Sequence, residues 1–126
     1  MIVTAKARVF PTEDGERVRR ALLNIFPTAE TAYEGDALVA TARDLDRFKE
    51  VLRNHRILDS ARAVLLRGIA EDGLRFQLNK QAAFVGKVSF VEGGAPLGAI
   101  EVLVTDDALE ALIDDVAPRT VDGEVP

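Results

Sequence analysis

The sequence predicts an α+β fold of two layers, an antiparallel or mixed sheet covered on one face by helices. Three observations predict it. Apolar residues alternate with a period of two near the N-terminus and again through residues 74–90 and 98–104. Between and after these stretches they recur with the spacing of an amphipathic helix. The strands of the second half lie too close together for crossover connections, so they pair antiparallel. With 126 residues, 48% of them apolar, the chain has a one-domain length and buries a core without staples.

Each element follows from its residues. In residues 2–10, Val3, Ala5, Ala7 and Val9 face one way and Thr4, Lys6 and Arg8 the other, the pattern of a half-buried strand. Pro11 ends it, and Thr12 is the expected N-cap of a helix to about Phe26, with Val18, Leu22, Ile25 and Phe26 as its buried stripe. Pro27 stops that helix. The Gly35–Asp36 turn leads to a second strand at 37–42. Asp44 caps a helix with Leu45, Phe48 and Leu52 inward, and another follows Asp59 and ends at Gly68. Gly73 opens strand material, Gly93–Gly94 makes a turn, 98–104 is a further strand, and 106–116 is a final helix with Leu109, Leu112 and Ile113 inward. The predicted order is β-α-β-α-α-β-β-β-α, with residues 1–118 as a single domain and 119–126 as a C-terminal tail.

Residues 74–90 demand a break. From Leu74 to Phe90 the even positions are apolar except Lys80. One uninterrupted strand would span about 56 Å, against a diameter of about 35 Å for a globular chain of this size. The strand must fold back, and Lys80 marks where. Asn79–Lys80–Gln81 is therefore expected to be a hairpin tip. It lacks the Gly, Pro or Asp of favoured tight turns, so its two amides and ammonium are also candidates for contact with phosphates and base edges.

The net charge is −5, yet it is unevenly spread: residues 43–68 sum to +3 and residues 92–126 to −8. Such polarity permits a local anionic partner on an acidic chain. Cysteine is absent, which removes disulfides, thiolate metal sites and cysteine nucleophiles, and suits a cytoplasmic location. The N-terminus is charged from Lys6 and reads as neither signal peptide nor membrane span. His55, the only histidine, has no carboxylate or nucleophile at a fixed spacing and is read as structural, at the edge of a helical stripe. Asp106/Asp107 and Asp114/Asp115 lie roughly 12 Å apart on a helix, too far for one cation. The glycines at 93, 94 and 98 match no phosphate loop, and Ser60 and Ser89 lack a nucleophile elbow. No enzyme, metal or cofactor is expected.

The stretch "FQLNKQAAFVGKVSF", followed by "PLGAIEV" and preceded by "LRNHRILDSAR", resembles a family of small archaeal proteins classed as RNA-binding-domain-like. That family is similar in fold to the ribosomal protein that binds 5S RNA and distantly related to a predicted exosome-associated subunit. The resemblance runs from the first strand to about residue 105. It implies a non-enzymatic accessory protein contacting structured RNA or a ribonucleoprotein.

Two basic surfaces are candidates for such contact. Lys49, Arg53 and Arg56 fall on one helical face, either as a solvated stripe partly paired with Glu50 and Asp46 or as a contact surface. Lys6, Arg8, Arg75, Gln77, Asn79, Lys87 and Ser89 are expected on the sheet face away from the helices, with Glu101 beside them, which makes that face basic and rich in amides. Lys80 and Gln81 join from the tip. Phe76, Phe84 and Phe90 point inward, so no stack for single-stranded bases is expected there. The rival reading makes the open sheet face a protein–protein or homodimer interface.

Overall fold

A computed structural model describes residues 1–92 and 98–121. The predicted Gly93–Gly94 turn lies outside the described residues, as does the tail beyond residue 121.

The sheet has six strands: β1 (Ile2–Arg8), β2 (Glu30–Glu34), β3 (Ala37–Ala42), β4 (Ile69–Ala70), β5 (Gly73–Asn79) and β6 (Ala99–Thr105). Their order is β2-β3-β1-β6-β5-β4, and every pairing is antiparallel. The helices are α1 (Gly15–Ile25), α2 (Asp46–Asn54), α3 (Leu58–Arg67), α4 (Lys80–Phe84) and α5 (Leu109–Val116).

The alternation read from the sequence sets the layers. Val3, Ala5 and Ala7 of β1 are buried, as are Leu38, Ala40 and Ala42 of β3, Leu74, Phe76 and Leu78 of β5, and Ile100, Val102 and Val104 of β6. Onto these press Val18, Leu22 and Ile25 of α1, Phe48 and Leu52 of α2, Ala61 and Leu65 of α3, and Ile113 of α5. An aromatic row runs through the layer: the Phe48 ring lies 6.4 Å from Phe26, 5.3 Å from Phe76 and 6.3 Å from Phe90. Stacked and edge-on geometries of this kind add to the burial of the rings themselves.

Several expectations change. The N-cap of α1 is Asp14, whose side chain accepts from the Glu16 N–H, rather than Thr12. A strand is added at β2, which forms a two-residue hairpin with β3; Gly35 supplies the left-handed backbone there at φ 62°. The last helix starts at Leu109 instead of 106.

The hairpin expected at Asn79–Gln81 is replaced by a helix. The chain leaves β5 into α4, and Asn79 is its N-cap, accepting from the Ala82 N–H at 2.9 Å. No strand runs through 81–90. The segment returns only as an extended edge, with the Asn79 N–H donating to the Ser89 carbonyl at 2.8 Å and the Val91 N–H to Gln77 at 3.0 Å. The fold-back forced by length is real, and a helical turn carries it.

Candidate nucleic-acid interface

Lys80 is the largest correction to the site read from the sequence. Its side chain is 1% exposed, and its ammonium donates to the Arg8 carbonyl at 2.6 Å and to Glu13 at 3.1 Å. Glu13 also accepts from the Phe10 N–H at 3.0 Å. The Phe10 ring lies 5.1 Å from the same ammonium and 4.8 Å from the Arg8 guanidinium. A buried ammonium needs acceptors on its hydrogens, and here β1 and the β1–α1 connection provide them. Lys80 thus clamps α4 to the start of α1 and offers nothing to a ligand. Asn79 is engaged as a cap. Gln81 alone of the three is exposed.

The open sheet face is not basic. Lys6 pairs with Glu34 at 3.6 Å, Arg8 with Asp36 at 3.0 Å, and Arg75 with Asp72. The Arg75 side chain, hydrogen-bonded to Asp72, holds that carboxyl below its ordinary value, and Asp72 in turn raises the guanidinium. Glu101 lies directly beside Lys6 and Gln77. Lys87 and Ser89, expected on this face, belong to no strand. Periodicity alone could not show that the loops and the neighbouring strand deliver a carboxylate to each cation.

The helix side differs. Lys49 is tied to Asp115 at 2.8 Å, Arg62 to Asp114 at 2.8 Å and Arg67 to Glu92 at 2.7 Å. Arg53 and Arg56, by contrast, are exposed and have no carboxylate within 4.0 Å among the described residues. Arg53 shares a face of α2 with Lys49, as the i, i+4 spacing implied, but Arg56 does not, because α2 ends at Asn54 and Arg56 lies past it. Arg53, Asn54, His55 and Arg56 form an exposed corner between α2 and α3. His55, read as structural, is its exposed C-cap.

Arg56 stands at φ 55°, the one non-glycine residue in left-handed backbone among those described. Its N–H donates to Arg53 and the next N–H, of Ile57, to Leu52, at 3.2 and 3.1 Å. That pair of bonds is the helix-ending motif whose left-handed position glycine or asparagine usually takes.

A second cationic group, absent from the sequence reading, lies where α1 meets α4. Arg17 covers the Phe84 ring at 5.7 Å, and Asn24 donates to the carbonyls of Ala83 and Phe84 at 2.9 and 3.3 Å. Arg20 sits between them on α1, and Lys87 follows the turn after α4. Arg17, Arg20 and Lys87 also have no carboxylate within 4.0 Å among the described residues, a property shared with Arg43 and Arg119 elsewhere. The i, i+3, i+7 spacing of Arg17, Arg20 and Asn24 was a legible signal; what it packed against was not. Val85, the residue that ends α4, is 69% exposed.

Tyr33 is the exposed aromatic of the described residues. Its hydroxyl end lies over Gly15, where a Cβ would collide with it. Among the described residues no three His, Cys, Asp or Glu side chains group as a metal site, and no helix is long and apolar enough to cross a membrane.

Fold and surface define a small antiparallel sheet protein, open on one face and cationic on part of its helical side. A family model described as RNA binding matches residues 2–105. A UPF0201 protein of Metallosphaera sedula is 43% identical over 98% of this chain and 90% of its own length. The crystal structure of a UPF0201 protein from Methanococcus jannaschii covers 100% of this chain and 99% of its own, at a TM-score of 0.91 and 40% identity. A second UPF0201 crystal structure gives 0.87 and 34%, covering 95% of each chain. The chain belongs to the UPF0201 family.

Proposed function

We propose that the protein is a non-enzymatic accessory factor that contacts structured RNA, alone or within a ribonucleoprotein, through its helix side. One observation carries the reading. On a chain of net charge −5, Lys6, Arg8 and Arg75 of the sheet face each have a carboxylate partner, whereas among the described residues Arg53 and Arg56 at the α2–α3 corner and Arg17, Arg20 and Lys87 beside α4 do not. Cations that face solvent without an acid are those able to displace counterions from phosphates. The RNA-binding description of the matching family supports it. Scarcity of exposed aromatics favours recognition of backbone and shape over stacking along a single strand.

The test is binding to an RNA duplex across a salt series. Arg53→Ala with Arg56→Ala should weaken affinity and lower the salt slope by about one per cation removed. Lys6→Ala, Arg8→Ala and Arg75→Ala together should change neither. Equal losses from both sets, or from neither, would sink the assignment of the surface.

A rival reading keeps one supporting observation: the sheet face is uncovered, near charge balance, and carries half-buried Val39 and Leu103 between its ion pairs. A weak homodimer would use it. Light scattering that gives a monomer at high concentration would exclude that form.

A further inference from the structure

Resting on the RNA reading, we propose that the groove between α3 and the 88–92 segment is a binding site for one unpaired nucleotide, with its phosphate at the Arg56–Lys87 end. Ile57 and Val64 form one apolar wall, and Val88 with the half-buried ring of Phe90 forms the other. The groove is open to solvent along its length and has a volume of about 390 Å³, within the roughly 300–1,000 Å³ of small-molecule sites. Its walls are fixed. Residues 57, 60 and 64 share one face of α3, and the hydrogen bonds Asn79–Ser89 and Val91–Gln77 hold the opposite wall along the edge of β5.

The two ends differ in charge. Arg56 immediately precedes Ile57 and Lys87 immediately precedes Val88, so the first residue of each wall follows a cation that has no carboxylate partner among the described residues. At the other end Arg67 and Glu92 close on each other at 2.7 Å. A phosphate is therefore attracted to one end only, and the base is directed along the apolar floor towards groups that can donate and accept. The two hydroxyls of the rims suit a nucleoside. Ser60 donates its own proton to the Ile57 carbonyl at 3.2 Å, which leaves its oxygen to accept, and Ser89 lies opposite.

The backbone of Arg56 is the independent observation. An arginine in left-handed conformation costs stability that glycine would not. A contact that needs the guanidinium accounts for arginine at a position, next to Ile57 of the groove, that glycine fills at lower cost. The hollow at the other end of the sheet, by contrast, is lined by Glu71, Asp72, Asp106 and Asp107, and repels phosphate.

The experiment compares a mixed-sequence RNA duplex of about 20 base pairs with the same duplex carrying one bulged adenosine. The protein should prefer the bulged RNA by about tenfold, the order of one stacked base. Ser60→Trp, which fills the groove from its exposed rim, should abolish the preference and leave affinity for the paired duplex unchanged. Ser89→Trp, on the opposite rim, gives the same test should the first variant not fold. Equal affinity of wild type for both RNAs, or a preference that survives both substitutions, overturns the site and leaves the RNA reading standing. Absence of salt-dependent binding to either RNA overturns both.

Discussion

Two polar runs interrupt apolar surroundings in this chain, Arg53–Arg56 and Asn79–Gln81, and the fold treats them in opposite ways. In the second run Asn79 caps a helix and Lys80 is enclosed, with its hydrogens on Arg8 and Glu13. In the first, four polar side chains are exposed at a corner, and the two guanidiniums have no carboxylate near them among the described residues. Burial of a charge is tolerated where the surrounding backbone and an acid complete its hydrogen bonds, and such a group is then committed to structure. Exposure without a partner leaves a group available. The difference separates residues that hold this fold from those that can serve it.

The largest expected effect follows from the enclosed run. Lys80→Ala leaves the nearly buried Glu13 carboxylate without its cation and with only the Phe10 N–H as donor, and should cost about 3–5 kcal/mol by denaturant unfolding. Lys80→Met with Glu13→Leu removes both charges and should recover most of that loss. A single variant within 1 kcal/mol of wild type would show that the clamp is not what holds α4 on α1.

Next comes the exposed run, where the effect should fall on binding and scarcely on folding. Arg53→Ala should change stability by less than about 0.5 kcal/mol. Arg56→Gly sharpens the contrast, because it relieves the left-handed strain. It should raise stability by about 1 kcal/mol while weakening RNA binding. A stabilised variant with undiminished affinity would mark the arginine as merely tolerated in the cap.

The same contrast explains what could be read in advance. The inward faces of β1, β3, β5 and β6 were legible because alternation encodes burial directly, as at Val3, Ala5 and Ala7. Helix stripes such as Phe48 and Leu52 were legible for the same reason. Lys80 was not, since a buried ammonium looks like a loop residue until Glu13 and the Arg8 carbonyl, distant in sequence, are placed beside it. The sheet face failed similarly: Lys6, Arg8 and Arg75 were placed outward, but the acids opposing them arrive from the β2–β3 hairpin and the β4–β5 turn. Arg17, Arg20 and Lys87 escaped notice because their grouping depends on α4, an element that periodicity had assigned to a strand.

The smallest effect is an acid-limb contribution from two carboxylates, exposed Asp72 and half-buried Asp106, and it extends the comparison to groups that are partnered yet solvated. The Arg75 side chain holds the Asp72 carboxyl below its ordinary value, and the Ala108 N–H, aided by the chain's N-terminal ammonium, lowers Asp106. A carboxyl whose folded value is depressed adds stability above the unfolded value and loses it as pH falls through the folded one. The window therefore lies below about pH 4, the ordinary carboxylate range. Asp72→Asn with Asp106→Asn should unfold more easily than wild type at pH 7, by a small margin because both carboxylates reach solvent. That gap should close as pH drops below 4. The Asp72 share should also shrink in high salt, since an exposed ion pair is screened, whereas the hydrogen bond from Ala108 to Asp106 is screened less. Stability curves measured at several pH values check this directly: a gap constant from pH 7 to pH 2 would place the cause in the altered side chains rather than in their ionisation.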